Sequence, residues 1–199
     1  MSKNNIEIEK VLQKLLLYEL ELPDEYGTDK DGFIIPSVYV YSPDVSLGTT
    51  DKLQIGIQSI GSVIVSNNNF TKDIDGTFSE IQETVINDNI QIDVTSRNNE
   101  ARIRRYEVIT ALHSIRAQEY QDLYNFKIFQ IPSSFVNTNN IEGGYRIYRY
   151  TITVPVQYMR RYVKPIDYYD KFPISNNAEV QNTVITDNFI IDKDFSPYK

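Results

Sequence analysis

Residues 89–115 read NIQIDVTSRNNEARIRRYEVITALHSI, and their period changes midway. Ile90, Ile92 and Val94 alternate with Gln91, Asp93 and Thr95, the two-residue repeat of a strand with one buried face. A polar joint at 96–99 hands over to a run with helical spacing. There Ala101, Val108, Leu112 and Ile115 form a stripe with Ile109 beside it, while Arg102, Arg105, Thr110, His113 and Arg116 fall elsewhere. Asn98 or Asn99 can cap the first free N–H groups, and Glu100 sits beside the positive end of the helix dipole. The pattern predicts a strand over 81–95 that runs straight into a helix from about 99 to 120.

Working outward, residues 4–20 predict an amphipathic helix with Ile8, Val11, Leu12, Leu15, Leu16 and Leu20 on one face. Pro23 and Gly27 end it, and 21–32 reads as an acidic, turn-rich loop. Residues 33–41 predict one short strand, with Pro36 favouring an edge or a strand start. Residues 53–65 predict another, in which Gly56 and Gly61 mark a bend or bulge. Residues 66–80 read as a polar excursion. Residues 126–136 and 144–163 predict a long hairpin or meander, with Tyr148, Tyr150, Ile152, Val154, Val156 and Tyr158 sharing one face of the second arm. After 164 the pattern dissolves into short apolar islands, which predicts a domain over 1–164 and an extended C-terminal arm over 165–199. The order of elements predicts an α+β fold: a two-layer sandwich of a mainly antiparallel sheet with helices on one face, plus the long β-hairpin and the arm.

The 199 residues suffice for one domain with a proper core. With no Cys, disulfides, thiolate catalysis and sulfur-ligated zinc are excluded. No apolar leader or run of about 20 apolar residues is present, so the expectation is a chain made in a cytoplasm that stays off membranes. The net charge of −7 is unevenly spread: 97–164 holds eleven bases against five acids, and the remainder nine bases against 22 acids. A surface divided this way suits head-to-tail contact with copies or with partners of opposite sign, although charge runs are also commonly solvated faces.

Catalytic and ligand-binding patterns are sparse. His113 is the only His, lies within the predicted helix and has no partner at a useful spacing, so a structural role is expected. No Gly-rich phosphate loop exists, and the segment at 142–146, EGGYR, reads as a turn. The segments DKDG (29–32) and DIDG (73–76) begin like calcium loops but lack the later acidic ligands. Asp93, at a strand end near arginines, could serve a Mg²⁺-dependent nuclease. The restriction-enzyme-like pattern then needs an acid two residues before a lysine, and no lysine here has one, which speaks against that nuclease class though not against every metal-dependent one. Arginines interleaved with aromatics suit nucleic acid, yet a pI near 4.8 favours DNA passing by without sticking. No catalytic, metal-binding or cofactor-binding residues are expected.

The stretch at 90–115 resembles the strand–helix joint of phage tail terminator (tail completion) proteins. In that family a hydrophobic-Asp-hydrophobic run leads into a Glu-Ala-Arg-type helix, here Ile92-Asp93-Val94 and Glu100-Ala101-Arg102. The order of elements over 4–163 is similar too. The resemblance implies a ring, commonly a hexamer, that caps the tail tube in the virion and joins it to the head connector. Implied partners are further copies of the chain, the tail tube protein, connector or neck proteins, and genomic DNA passing through the lumen without specific binding. On this reading the hairpin 126–163 and the C-terminal arm are expected to contact neighbouring subunits. Arg102, Arg104, Arg105, Arg146, Arg149, Arg160 and Arg161 are the candidate interface residues. Another connector, stopper or neck ring fits the same features. A metal-dependent nucleic-acid processing enzyme built around Asp93, or an assembly chaperone, stands as the rival class.

Overall fold

The computed structural model describes residues 7–42, 50–74, 77–142, 145–165, 183–186 and 189–192; the side chains of 140–146 and of the last two segments lie outside this description. The chain forms two compact units, Met1–Pro165 and Ile166–Lys199. It is a mixed α/β protein dominated by strands, with three helices among the described residues. In the first unit the order is α1 (Ile8–Glu19), β1 (Glu25–Thr28), β2 (Ile34–Pro36), β3 (Val38–Val40), β4 (Gln54–Ile74), β5 (Thr77–Ser96), α2 (Glu100–Leu112), α3 (Ile115–Tyr124), β6 (Phe126–Ile128), β7 (Val136–Asn137), β8 (Asn140–Glu142) and β9 (Tyr145–Pro165). The second unit contains an antiparallel hairpin of β10 (Thr183–Thr186) and β11 (Phe189–Asp192). The rest of the expected arm lies outside the described residues.

The seven-stranded sheet follows the path β3-β4-β5-β9-β6, with β7 and β8 also pairing with β9. Strand β5 is its centre and pairs antiparallel with β4 on one side and β9 on the other. One row across the sheet is Ile57–Ile92–Ile152; the next, on the opposite face, is Gly56–Asp93–Thr151. The first face is the core face. Against it pack Leu12, Leu15 and Leu16 of α1, Val108 and Leu112 of α2 and Ala117 of α3, in a single buried cluster. The helical stripes and the strand alternation meet here as their periods require, except that Ile115, expected in the stripe, is 77% exposed at the start of α3.

The strand–helix joint is fixed by its polar residues. Ser96 Oγ accepts the Ala101 N–H at 2.9 Å, and Asn98 Oδ1 accepts the Glu100 N–H at 2.8 Å. These occupy N–H groups that a helix start leaves free. Glu100 reaches across to accept the Leu53 N–H at 2.8 Å, tying the joint to the start of β4.

Several expectations are corrected. The helix expected over 99–120 is two helices, broken at His113. Ser114 takes extended angles and its Oγ caps α3 by accepting the Ala117 N–H at 3.0 Å; Asn125, at φ 51°, ends α3. The loop at 21–32 contains β1. The single strand expected over 33–41 is two: β2 pairs with β1 in a separate sheet, whereas β3 runs parallel to β4. The polar excursion at 66–80 is largely strand. It continues the β4–β5 pairing outward from the core, so the longest hairpin is β4–β5 and not 126–163. There β6, β7 and β8 are short pieces paired along β9. Polar strands carry no contrast between faces and so give no periodic signal. Gly61 sits at one of two register shifts in β4, between Ser59 and Gly61 and between Ile64 and Ser66, as expected of a bulge; Gly56 lies in regular pairing.

The core is tight enough for truncation to be felt. Leu16, fully buried on α1, should destabilise the fold by about 2–5 kcal/mol when changed to Ala, measured by urea unfolding. The change Tyr18→Ala on the outer side of the same helix should shift the midpoint far less, since Tyr18 is 59% exposed and loses mainly the Arg116 guanidinium 4.5 Å from its ring.

Candidate functional site: a bare-edged ribbon and its polar anchor

Strands β4, β5 and β9 outrun the helices. From Gly61 to Ile74, β4 has 14 residues, an extension of about 45 Å at the rise of a strand. Its outer part is held by backbone pairing and by an apolar row, Phe70–Ile81–Val163. Beside that row lies an ion pair between Arg161 and Glu83 at 3.5 Å. Because β3 pairs only with Ile55, Gly56 and Ile57, no strand covers the outer edge of β4 over 58–74 among the described residues. Ile60, Val63, Ile64 and Val65 on this strand are 50–66% exposed. An open groove of about 450 Å³ lies where β3 gives out, lined by Glu9, Val40, Tyr41, Ser42, Gln58 and Ser59. A free row of N–H and C=O groups with exposed apolar side chains can accept an extended segment.

Behind the ribbon's base lies its anchor. The Asp93 side chain is fully buried on the face away from the core. Its Oδ2 takes a 2.6 Å ion pair from Arg149 Nη2, a 2.9 Å bond from Gln91 Nε2 and a 3.4 Å contact from the Tyr41 hydroxyl. Its Oδ1 accepts the Thr151 hydroxyl at 2.5 Å. Tyr39 and Tyr41 meet edge to face, with centroids 5.0 Å apart, over Gly56. A Cβ there would lie 2.5 Å from Tyr41 Cε2, so the close approach of the ring explains this glycine. Burial pushes the Asp93 carboxyl up, but the bonds from Arg149, Thr151 and Gln91 together with the Arg149 charge outweigh it and hold the group below its ordinary 3.8. The same pair raises Arg149, and burial with the bond to Tyr41 keeps the Tyr39 phenol protonated.

The seven candidate arginines do not share one surface. Arg149 is engaged by Asp93. Arg104 is half-buried, bonded to Glu107 at 2.8 Å and to the Leu20 carbonyl at 2.9 Å. Arg105 donates to the Arg102 carbonyl, and its guanidinium stands 4.4 Å and 4.7 Å from the Tyr106 and Tyr150 ring centres. Arg102 is exposed beside it. Arg160 and Arg161 neighbour each other on β9 and so point to opposite faces; Arg160 leans on Tyr158 with its guanidinium 5.5 Å from the ring. The Arg146 side chain lies outside the described residues. Only Arg102 and Arg105 are brought together.

Other residues weighed for chemistry have local roles. His113 is exposed at the end of α2, its Nδ1 2.9 Å from the Ile109 carbonyl. In DKDG, Asp29 Oδ1 accepts the N–H groups of Asp31 and Phe33, which makes a turn. In DIDG, Asp73 and Ile74 belong to β4, while 75 and 76 lie outside the described residues. Among the described residues no group of three or more His, Asp or Glu could hold a metal ion. No helix among them is long and apolar enough to cross a membrane. The reading from sequence missed the bare edge of β4 and the companions of Asp93: Gln91, Tyr41 and Thr151. The alternation of VYVY at 38–41 and of TIT at 151–153 was the available signal, but not which strand each would face.

Comparison with known proteins adds no relative: no family model matches the chain, and no curated protein matches it significantly.

Arg149→Ala should destabilise the fold by roughly 2–4 kcal/mol, because Asp93 stays buried while Arg149 is 40% exposed and partly screened. The depressed Asp93 carboxyl contributes stability that is complete above its ordinary 3.8 and drains away as pH falls through its lower folded value. Asp93→Asn should therefore flatten the acid limb of a stability-versus-pH curve. An unchanged limb would show that the charge is not what stabilises this node.

Proposed function

We propose that the chain is a structural virion protein that forms a ring at the head–tail junction, capping the tail tube and joining it to the head connector. The observation that carries this reading is the edge of β4, uncovered among the described residues, with its exposed Ile60, Val63, Ile64 and Val65. A strand this long and this poorly guarded, with Lys72 as its one base and no Pro, is a liability in an isolated chain and an asset in an assembly. Its partner is an extended edge of a neighbouring subunit, the heterologous contact from which rings close.

The fold suits the role as a two-layer sandwich, with helices on one face of a mainly antiparallel sheet. The rows Ile57–Ile92–Ile152 and Gly56–Asp93–Thr151 on opposite faces support that description. The likeness of 90–115 to the tail terminator joint supports the family, and with it a hexamer. Its partners are then copies of itself, the tail tube protein, connector or neck proteins, and genomic DNA crossing the lumen without specific binding. The C-terminal arm is a second contact between neighbours. On this reading the protein is not an enzyme; the engagement of Asp93 by Arg149 and Thr151 favours a structural role for that carboxylate over metal binding.

Native mass spectrometry, with and without tail tube protein, tests this reading. A closed ring that binds the tube is expected. Binding to portal or adaptor protein instead would move the chain to a connector or stopper ring. A monomer that cuts DNA with Mg²⁺, and stops doing so on Asp93→Ala, would overturn the proposal. Val63→Lys with Val65→Lys should leave the melting temperature within a few degrees of wild type, since both residues are exposed, while abolishing ring closure.

A further inference from the structure

Two surfaces of the first unit carry opposite charge, expose apolar side chains and have no counterpart among the described residues. The first is the β1–β2 hairpin. Its base is fixed, with the Tyr26 hydroxyl donating to the Leu53 carbonyl at 2.8 Å and the Ser37 N–H to the Asp24 carbonyl at 3.3 Å. Its turn is fixed by Asp29 and by Gly32 at φ 83°, a conformation that favours glycine. The hairpin therefore holds Phe33 and Ile34 outward, 44% and 56% exposed, among the acids Asp24, Glu25 and Asp31, which outnumber its one base, Lys30; Lys52 stands 4.8 Å from the Tyr26 ring. None of these three acids is in an ion pair among the described residues.

The second surface is the outer stripe of α2 beside β7. Ile103 and Tyr106 lie one turn apart and are 67% and 50% exposed; Val136 is 65% exposed. Tyr106 meets Phe135 edge to face, with centroids 6.3 Å apart, which joins helix and strand into one patch. Arg102 and Arg105 rim it. Of the acids of α2, Glu107 is held by Arg104 at 2.7 Å and Glu100 accepts the Leu53 N–H. Neither Arg102 nor Arg105 is in an ion pair among the described residues, and Arg105 is braced flat against Tyr106 and Tyr150.

We infer that these two surfaces bind each other between copies of this chain, the acidic hairpin of one subunit docking on the arginine-rimmed apolar patch of the next. Whole chains at −7 repel one another, so close approach needs local charge complementarity of this kind. The contact has the anatomy of a specific interface, with Phe33 and Ile34 against Ile103, Tyr106 and Val136 at its centre and carboxylate–guanidinium pairs at its rim. Hydrogen bonds hold the hairpin backbone and helical pairing holds the patch before contact, which limits the ordering cost. The inference rests on the ring reading only in that both require self-association.

The test is a charge exchange followed by sedimentation. One variant carries Glu25→Lys and Asp31→Lys, the other Arg102→Glu and Arg105→Glu; Glu25, Asp31 and Arg102 are exposed and Arg105 is half-buried against two tyrosines, so melting temperatures are compared alongside. Each variant alone should associate about tenfold or more weakly than wild type, because every contact then sets like charges together. Mixed in equal amounts, the two variants should assemble with each other, since each supplies the sign the other lost. Ile103→Ser, a change at an exposed position that leaves the charges alone, should weaken association with an unchanged melting temperature. Wild-type assembly combined with indifference to all of these changes would overturn the docking and leave the ring reading standing. A wild-type chain that stays monomeric at assembly concentrations would remove both.

Discussion

A carboxylate buried in the middle of a sheet fixes where each long strand lies. Asp93 is inaccessible to solvent, and every group that satisfies it comes from a defined position: Arg149 and Thr151 on β9, Gln91 on its own strand, Tyr41 just past β3. A one-residue slip of β5 would turn Asp93 into the core face and carry Ile90, Ile92 and Val94 out of it. The slipped carboxylate would be buried without its partners, at a cost of several kcal/mol beyond the lost apolar burial. The correct register is favoured by both faces at once. Gly56 completes the arrangement from β4, since only a residue without a Cβ leaves room for the Tyr41 ring.

That register then has consequences far from Asp93. Because β4, β5 and β9 are locked together under the helices, their continuations emerge already paired, and the ribbon is extended by propagation. Beyond the helices there is little to bury. The outer pairing is held by main-chain hydrogen bonds, the Phe70–Ile81–Val163 row and a surface ion pair of small value. Such a segment is the least stable part of its unit and the easiest to complete with another chain. Its two edges are unequal. Over 159–165 the edge of β9 carries Arg160, Arg161, Lys164 and Pro165, the usual guards against indiscriminate pairing, while the edge of β4 has two bulges and little else. An asymmetry of this kind gives the molecule a direction, which a repeating assembly needs.

The arginines show how a uniform feature of the sequence is divided by the fold. Arg149 is spent inside the chain on Asp93, Arg104 on Glu107 and on the end of α1, and Arg105 is flattened against two tyrosines. Arg102 alone of these keeps its charge wholly at the surface with no such engagement among the described residues. The basic excess over 97–164 is therefore partly internal wiring and partly exposed surface charge.

Much of the fold was legible because periodicity is a local property. The alternation at 90–95, the apolar stripe of 8–20 and the polar joint at 96–99 each signal their conformation through residues a few positions apart, and α1, β5 and the start of α2 follow. The candidate site was only half legible. Asp93 stood out as an acid in an apolar strand, but apart from Gln91, two residues away, its partners Tyr41, Arg149 and Thr151 lie 52 to 58 residues off along the chain, and no local pattern encodes them. The outer ribbon was hidden for a related reason: strands such as SNNNFTKD owe their conformation to the neighbours they pair with and not to a buried face of their own. The parallel pairing of β3 with β4 was likewise settled by contacts between distant segments, whereas the break after His113 turns on the local cap that Ser114 gives α3. The sequence alone determined the local periods, and with them which faces turn inward. Only the tertiary structure decided which polar groups neutralise one another and which edges stay open, because both depend on contacts between segments that the chain keeps far apart.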